Sequence, residues 1–403
     1  MRVLYLTEQN LFEFDNSISK KNYYNILALS KEHELFVVNY SDKNTDKLKV
    51  EEFSKRGIKI EFVDSKNRRH IKKTPNFNIM LRSKNYVPEL DYTVEMENAF
   101  NRIIKTFSPD IVHVTSFAMT GYLDLSRPSY NIVYDTNTVN YLRFRDYLKK
   151  ENLMANWSTK DYAVRILNHE AKMILNSKAV FVVSELIRST THSRFQNINP
   201  IYVVPFGVDI NKIDYIPPSF SNKNIVFMCN ENFKKTQEIF KAYVKNIHLK
   251  LLNIYPDYKL LVFNKNNKDY KRFSNIANIE FLGDINDKAS YQLIREANGV
   301  VIPEHTLNNS YSQIISTFAM GLPVVSKEQI IDSIDATSGE HLLTAKDSED
   351  FVIQMSRLFN DKDFVLNITK NARALVEEKY TKDKMSENIL NCYKKIEQSL
   401  SDR

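Results

Sequence analysis

The sequence predicts an α/β protein built as two doubly wound parallel-sheet domains, and three observations carry that prediction. A chain of 403 residues exceeds one ordinary core, so two domains of roughly 200 residues are the starting point. Short Val/Ile-rich runs alternate with helix-length segments, the pattern of parallel strands covered on both faces. After Pro205 the alternation starts afresh.

In chain order, "RVLYLT" (2–7) and "HELFVVNY" (33–40) read as strands. Between them "KKNYYNILALSKE" places Tyr23, Ile26, Leu27 and Ser30 at helical spacing. "DIVHV" (110–114), "NIVYD" (131–135), "AVFVVSE" (179–185) and "IYVVPFG" (201–207) follow as strands, and 141–178 reads as helix throughout. Residues 209–224, with two prolines and several Ser and Asn, are the predicted linker. The second half gives "NIVFMC" (224–229), a helix over 235–254, "KLLVFN" (259–264), "IEFLG" (279–283), "YQLIREAN" (291–298) and "GVVIPE" (299–304). "LNNSYSQIISTFAMGLPVV" (307–325) then reads as loop, helix and buried strand. Ile314, Ile315, Phe318 and Ala319 form the apolar face, Gly321 ends the helix and Pro323 forbids its return. "HLLTA" (341–345) is the last strand, and 347–400 is helical. The helix opening near Ser310 follows Asn308 and Asn309 with no adjoining carboxylate, so its positive end has no anion of its own.

Composition excludes several classes. With 43% hydrophobic and 26% charged residues the chain is globular, not disordered. No apolar run approaches the roughly 20 residues that span a bilayer, and "MRVLYLTEQ" reads as a first strand, not a signal peptide. Cys229 and Cys392 lie far apart without CxxC or zinc spacing, which fits a reducing cytoplasm and gives neither thiol a catalytic part. The charge of +7 is modest, and its densest patch, "KNRRHIKK" (66–73), reads first as a solvated loop. No nucleic-acid motif accompanies the patch, so no nucleic-acid partner is expected, whereas peripheral contact with an anionic membrane suits it.

Roughly 28 glycines are expected at average usage, and the chain has 7. Four stand in "VVPFGVD" (203–209), "FLGDINDKASYQLIREA" (281–297), "FAMGLPVVS" (318–326) and the "SGEHLL" around Gly339. With "DIVHVTS" (110–116), "VVSELIR" (182–188) and "NARALVEEKYT" (371–381), these resemble the GT-B fold glycosyltransferases, specifically the retaining family 4. The resemblance covers almost the whole chain. It implies two Rossmann-like domains facing a cleft: an acceptor-side domain over 1–207, rejoined by a returning helix at 385–403, and a nucleotide-sugar-binding domain over 208–384.

Site residues follow from the resemblance, position by position. The family stabilises a departing nucleotide diphosphate with an Arg and a Lys after the first strand of the second domain. Here Lys235 stands at the lysine position, Asn230 at that of the arginine, and Lys234 beside them. Asn offers phosphate a hydrogen bond but neither charge nor a bidentate fork. The family's two donor-site glutamates correspond to Asn308 and Ser316. Glu304, Asn309, Ser310 and Tyr311 complete the donor-side set, with Thr317 as a second ribose hydroxyl partner and Gly207 at the domain crossing. On the acceptor side, Asn137 occupies the place of a histidine, His113 matches another at a strand end, and Glu185 matches a cleft-lining position. The family's glycine pair after the first strand is absent. Asp15, Asn16 and Ser17 provide the turn, and Lys20 or Lys21 faces the cleft.

The implied activity is metal-independent transfer of a sugar from a nucleotide donor, UDP- or GDP-linked, to a saccharide, lipid-linked or protein acceptor in bacterial-type glycan assembly. No cofactor is implied, and the chain shows no DxD-type carboxylate pair near a strand end. The place expected is the cytoplasm or the inner face of the membrane. The altered positions also define an alternative: a degenerate member that binds acceptor as the subunit or chaperone of a partner glycosyltransferase. A homodimer is compatible with either reading.

Overall fold

A computed structural model describes residues 1–12, 17–41, 47–64, 92–125, 129–150, 153, 157–196, 198–228, 233–263, 273, 275–282, 288–303 and 310–402. The chain forms two compact units, Met1–Phe206 with Met385–Arg403, and Gly207–Lys384.

The first unit holds a seven-stranded sheet: β1 (Arg2–Thr7), β2 (Glu34–Ser41), β3 (Lys59–Asp64), β4 (Ile111–Thr115), β5 (Asn131–Asp135), β6 (Ala179–Val182) and β7 (Ile201–Val203), in the order β3-β2-β1-β4-β5-β6-β7. Every pairing is parallel, with Tyr5 opposite Val37 on one side and His113 on the other. β4 and β6 are buried at every residue, which is why they read as continuous apolar runs. β3 escapes the sequence reading for the opposite reason. It is an edge strand in which Lys59, Glu61 and Asp64 alternate with apolar residues and only Val63 is buried.

Helices α1 (Ser17–Leu29), α2 (Lys47–Lys55), α3 (Val94–Phe107), α4 (Asn140–Lys150), α5 (Trp157–Asn176) and α6 (Glu185–Arg194) connect these strands. The stretch 141–178 is thus two helices, not one. α3 shows the local logic clearly: Thr93 caps its first turn by accepting from Met96 N, and Ser108 ends it in the left-handed region at φ 46°.

The second unit holds β8 (Lys223–Phe227), β9 (Tyr258–Phe263), β10 (Ile279–Leu282), β11 (Gly299–Ile302), β12 (Val324–Lys327) and β13 (Leu343–Ala345), ordered β10-β9-β8-β11-β12-β13 and again all parallel. β8 takes the last two residues of the predicted linker. Its helices are α7 (Phe233–Tyr243), continued through a π segment (Val244–His248) into α8 (Leu249–Ile254), then α9 (Lys288–Arg295), α10 (Ser310–Met320), α11 (Ser348–Asn360) and α12 (Lys362–Lys379). Gly321 closes α10 at φ +87°, where a Cβ would stand 2.7 Å from the Ile216 carbonyl oxygen.

The last helix, α13 (Lys382–Ser401), buries Met385, Ile389, Cys392, Tyr393 and Ile396. Their helical spacing makes one face, and that face joins the core formed by Val3, Tyr5, Val133 and Phe181. Five such side chains represent on the order of 10 kcal/mol of gross apolar burial, before chain entropy is subtracted. Among the described residues, no helix is long and apolar enough to cross a membrane.

Candidate functional site

In doubly wound sheets, ligands bind beyond the carboxyl ends of the strands, at the point where strand order reverses. In the first unit that point lies between β1 and β4. The side chains there are tied into one buried polar network. Asp135 ends β5, and Lys21 Nζ donates to both of its oxygens at 2.6 and 2.8 Å. Each of these residues is 2% exposed. His113, fully buried, stacks on Tyr5 with ring centroids 4.4 Å apart and shares a 2.8 Å hydrogen bond through Nδ1 with the Tyr393 hydroxyl. Its Nε2 stands 3.5 Å from Asp135 Oδ2, an electrostatic contact without hydrogen-bond alignment. Asn22, next to Lys21, accepts from Tyr5 O–H at 3.2 Å and donates to Thr7 Oγ1 at 3.1 Å.

The charges follow from this packing. Burial alone would raise the Asp135 carboxyl, but Lys21, aided by His113, overrides it and holds the group below the ordinary carboxylate range. Burial lowers His113, Asp135 pulling the other way, so the ring is neutral at pH 7. The structure therefore assigns His113 to the interior of the unit, bonded to the last helix, and not to a surface a substrate reaches. Lys21 is corrected likewise: it is buried, whereas Lys20 is exposed.

Past the end of β5 the loop 136–139 carries Asn137, half-buried, with Oδ1 lacking a partner. Thr138 Oγ1, Asn10 Nδ2 after β1 and Ser116 Oγ after β4 are also buried without partners among the described residues. Ser116 sits at φ +75° and its N–H donates to Asp135 O at 3.1 Å. These are neutral donors and acceptors, suited to hydroxyl groups. α4 starts directly after this loop, and Glu170 of α5 caps it by accepting from Asn140 N at 2.7 Å, Asn140 Nδ2 at 2.9 Å and Tyr141 N at 3.0 Å. Burial pushes the Glu170 carboxyl upward despite these donors. Beside it, His169 Nε2 lies 2.8 Å from Thr120 Oγ1, whose own proton goes to Phe117 O, so His169 is protonated on Nε2. Burial lowers it to about 4.

Glu185 opens α6, exposed and paired with Arg188 Nε at 2.6 Å. Ser17 is the first residue of α1, and Asn16 lies outside the described residues.

In the second unit the order reverses between β8 and β11, and the helices that follow these two strands are α7 and α10. Neither has an acidic residue in its first turn. Lys234 and Lys235 belong to the first turn of α7, Ser310 and Tyr311 to that of α10; their side chains lie outside the described set. Asn230, Glu304, Asn308 and Asn309 are themselves outside the described residues. Ser316 Oγ donates to Ser312 O at 3.0 Å and Thr317 Oγ1 to Gln313 O at 2.8 Å, both back onto their own helix. Thr317 is buried, so no ribose reaches it. Gln313 Oε1, in the first turn of α10, is buried without a partner.

Gly207 has a packing reason of its own: a Cβ there would lie 2.7 Å from the Thr381 carbonyl oxygen. The adjoining Val208 exchanges hydrogen bonds with Tyr380 O and Lys382 N at 2.9 and 2.8 Å. The partners of Lys21 and Glu170 left no local trace in the sequence, being 114 and 30 residues away. The one available signal was the run Lys21, Asn22 and Asn25 in register with the buried face of α1.

Residues 49–212 match the family model described as Glycosyltransferase Family 4. The O-antigen chain mannosyltransferase C of Escherichia coli is 27% identical over 132 residues, 31% of this chain, and the match spans about a third (35%) of that relative's length. Among solved structures, a sucrose-phosphate synthase from Thermosynechococcus elongatus superposes with a TM-score of 0.69 at 12% identity, over 99% of both chains. Anabaena Alr3699/HepE, solved in complex with UDP-glucose, gives 0.64 at 12% identity over 98% of this chain and 100% of its own. The fold shared with them, two Rossmann-like parallel-sheet units in one chain, is GT-B.

Proposed function

We propose that this GT-B chain is a glycosyltransferase that moves a sugar from a nucleotide donor to a saccharide, lipid-linked or protein acceptor in glycan assembly. One observation carries the reading. At the strand reversal of the second unit two helices start with no acidic residue in their first turns, and one of them starts with Lys234 and Lys235. Free N–H groups and helix dipoles there favour a diphosphate, and an ammonium at Lys235 stabilises the charge that develops as the nucleotide leaves. The similarity to a protein solved with UDP-glucose supports a nucleotide-sugar donor. Asn230, Asn308 and Ser316 replace charged groups of the family pattern by neutral hydrogen-bonding ones, so donor contacts run through amides and hydroxyls. The unpartnered polar atoms around Asn137 serve the acceptor's hydroxyls in the first unit.

The replacement of both glutamates favours one second reading, an acceptor-binding subunit that does not transfer. Calorimetric titration with UDP, GDP, ADP and CMP separates the two. Saturable binding of one of them, with donor hydrolysis that falls at least a hundredfold in Lys235→Ala, is expected for the enzyme. Absence of any nucleotide binding selects the subunit.

A further inference from the structure

On the first unit, α4 presents Tyr141, Arg145 and Lys149 at spacings of four residues, hence on one face. Arg145 Cζ lies 5.9 Å from the centroid of the Tyr141 ring. Arg194, the last residue of α6, lies 4.8 Å from the same centroid. Two guanidinium groups are thus gathered at one aromatic ring although they repel each other. The ring's quadrupole attracts both groups and offsets part of that repulsion.

Among the described residues, Arg145 meets one carboxylate, Asp146 of its own helix at 3.6 Å, and its Nε is buried with no hydrogen-bond partner. Arg194 has no carboxylate partner among the described residues, and Lys149 is exposed. Arg143, also on α4, faces the field of Glu170. The helix end itself is not the attractor, because Glu170 already takes the N–H groups of Asn140 and Tyr141. What remains is a pair of planar forks, one facing a single carboxylate at 3.6 Å and carrying an orphaned Nε donor, an arrangement that fits a tetrahedral dianion.

We propose that Tyr141, Arg145 and Arg194 form an anion-binding cradle for a phosphate or diphosphate group, and that the group belongs to the acceptor. The cradle stands on its own geometry; naming the acceptor as carrier rests on the glycosyltransferase reading. Inorganic pyrophosphate is the probe, titrated calorimetrically into wild type, Lys235→Ala, and the double variant Arg145→Gln/Arg194→Gln, with melting curves confirming that each is folded.

Two sites are expected in wild type. Lys235→Ala weakens the one in the second unit and keeps the cradle, while the double variant loses at least tenfold in affinity at the cradle and keeps the other. Tyr141→Phe retains binding, and Tyr141→Ala weakens it. One site that vanishes only in the double variant supports the cradle and removes the donor reading. A pyrophosphate isotherm unchanged by the double variant overturns the cradle, as does binding wholly abolished by Lys235→Ala.

Flotation on phosphatidylcholine vesicles with and without phosphatidic acid then separates the sources. Phosphatidic-acid-dependent flotation lost in the double variant identifies a lipid-borne phosphate. Pyrophosphate binding without flotation identifies a soluble one.

Discussion

The Lys21–Asp135 pair permits a quantitative test of the first unit. Lys21 is replaced by Met, which keeps the length of the side chain and removes the ammonium. Asp135 is then a buried carboxylate at 2% exposure without its ammonium partner, with His113 Nε2 3.5 Å away. Stranding one partner of a buried pair costs about 3–5 kcal/mol, and for a unit of this size each kcal/mol shifts Tm by about 2–4 °C. The transition of the first unit is therefore expected to fall by roughly 6–20 °C in scanning calorimetry. In the double variant Lys21→Met/Asp135→Leu, with no charge left, most of that loss should be recovered.

The pH dependence fixes the sign. Asp135 has a folded-state pKa below its unfolded value, so its contribution is present above the unfolded value and disappears as pH falls through the folded one. The gap between wild type and Lys21→Met should narrow as pH falls, starting above the ordinary carboxylate range, because burial raises the stranded carboxyl once Lys21 is gone. It should close further below that range as the wild-type carboxylate is protonated. A single variant that melts within 2 °C of wild type at pH 7 would falsify the buried pair.

Further outcomes are expected elsewhere. Gly321→Ala combines a left-handed φ with a Cβ 2.7 Å from the Ile216 carbonyl oxygen, and should cost more than about 2 kcal/mol in urea unfolding. Gly339→Ala, at φ +80° with open space around it, should cost about 1 kcal/mol, and equal losses at both sites would refute the steric part of the argument. His169 binds its proton only near pH 4 when folded, so the unfolded chain takes it up first and stability is lost as pH falls from about 6.5 to 4. His169→Gln should flatten that acid limb by up to about 3 kcal/mol, measured as the midpoint of urea unfolding across pH.

How much of this was legible in sequence follows from where each residue's constraint lies. Strands such as Ile111–Thr115 and Ala179–Val182 are buried on both faces and announce themselves as apolar runs, whereas β3, half wet at a sheet edge, does not. The stop of α10 at Gly321 was readable because left-handed backbone demands a residue type. Lys21 gave no comparable sign: the sequence points Lys20 or Lys21 at the cleft, and only the assembled sheet brings Asp135 beside Lys21. His113 looked like a strand-end histidine open to chemistry, yet its partner Tyr393 comes from 280 residues further on. Local rules see neither.

Because the first unit is completed by residues 385–403, its assembly is tied to the order of synthesis. A ribosome releases residues 1–206 and then the whole of 207–384 before the stretch that carries Met385, Ile389 and Tyr393 emerges. Until then the apolar surface meant for the last helix is uncovered and His113 has no hydroxyl to bond. The second unit has all its residues in one continuous run, so it can reach its native state while the first is still waiting for its final piece.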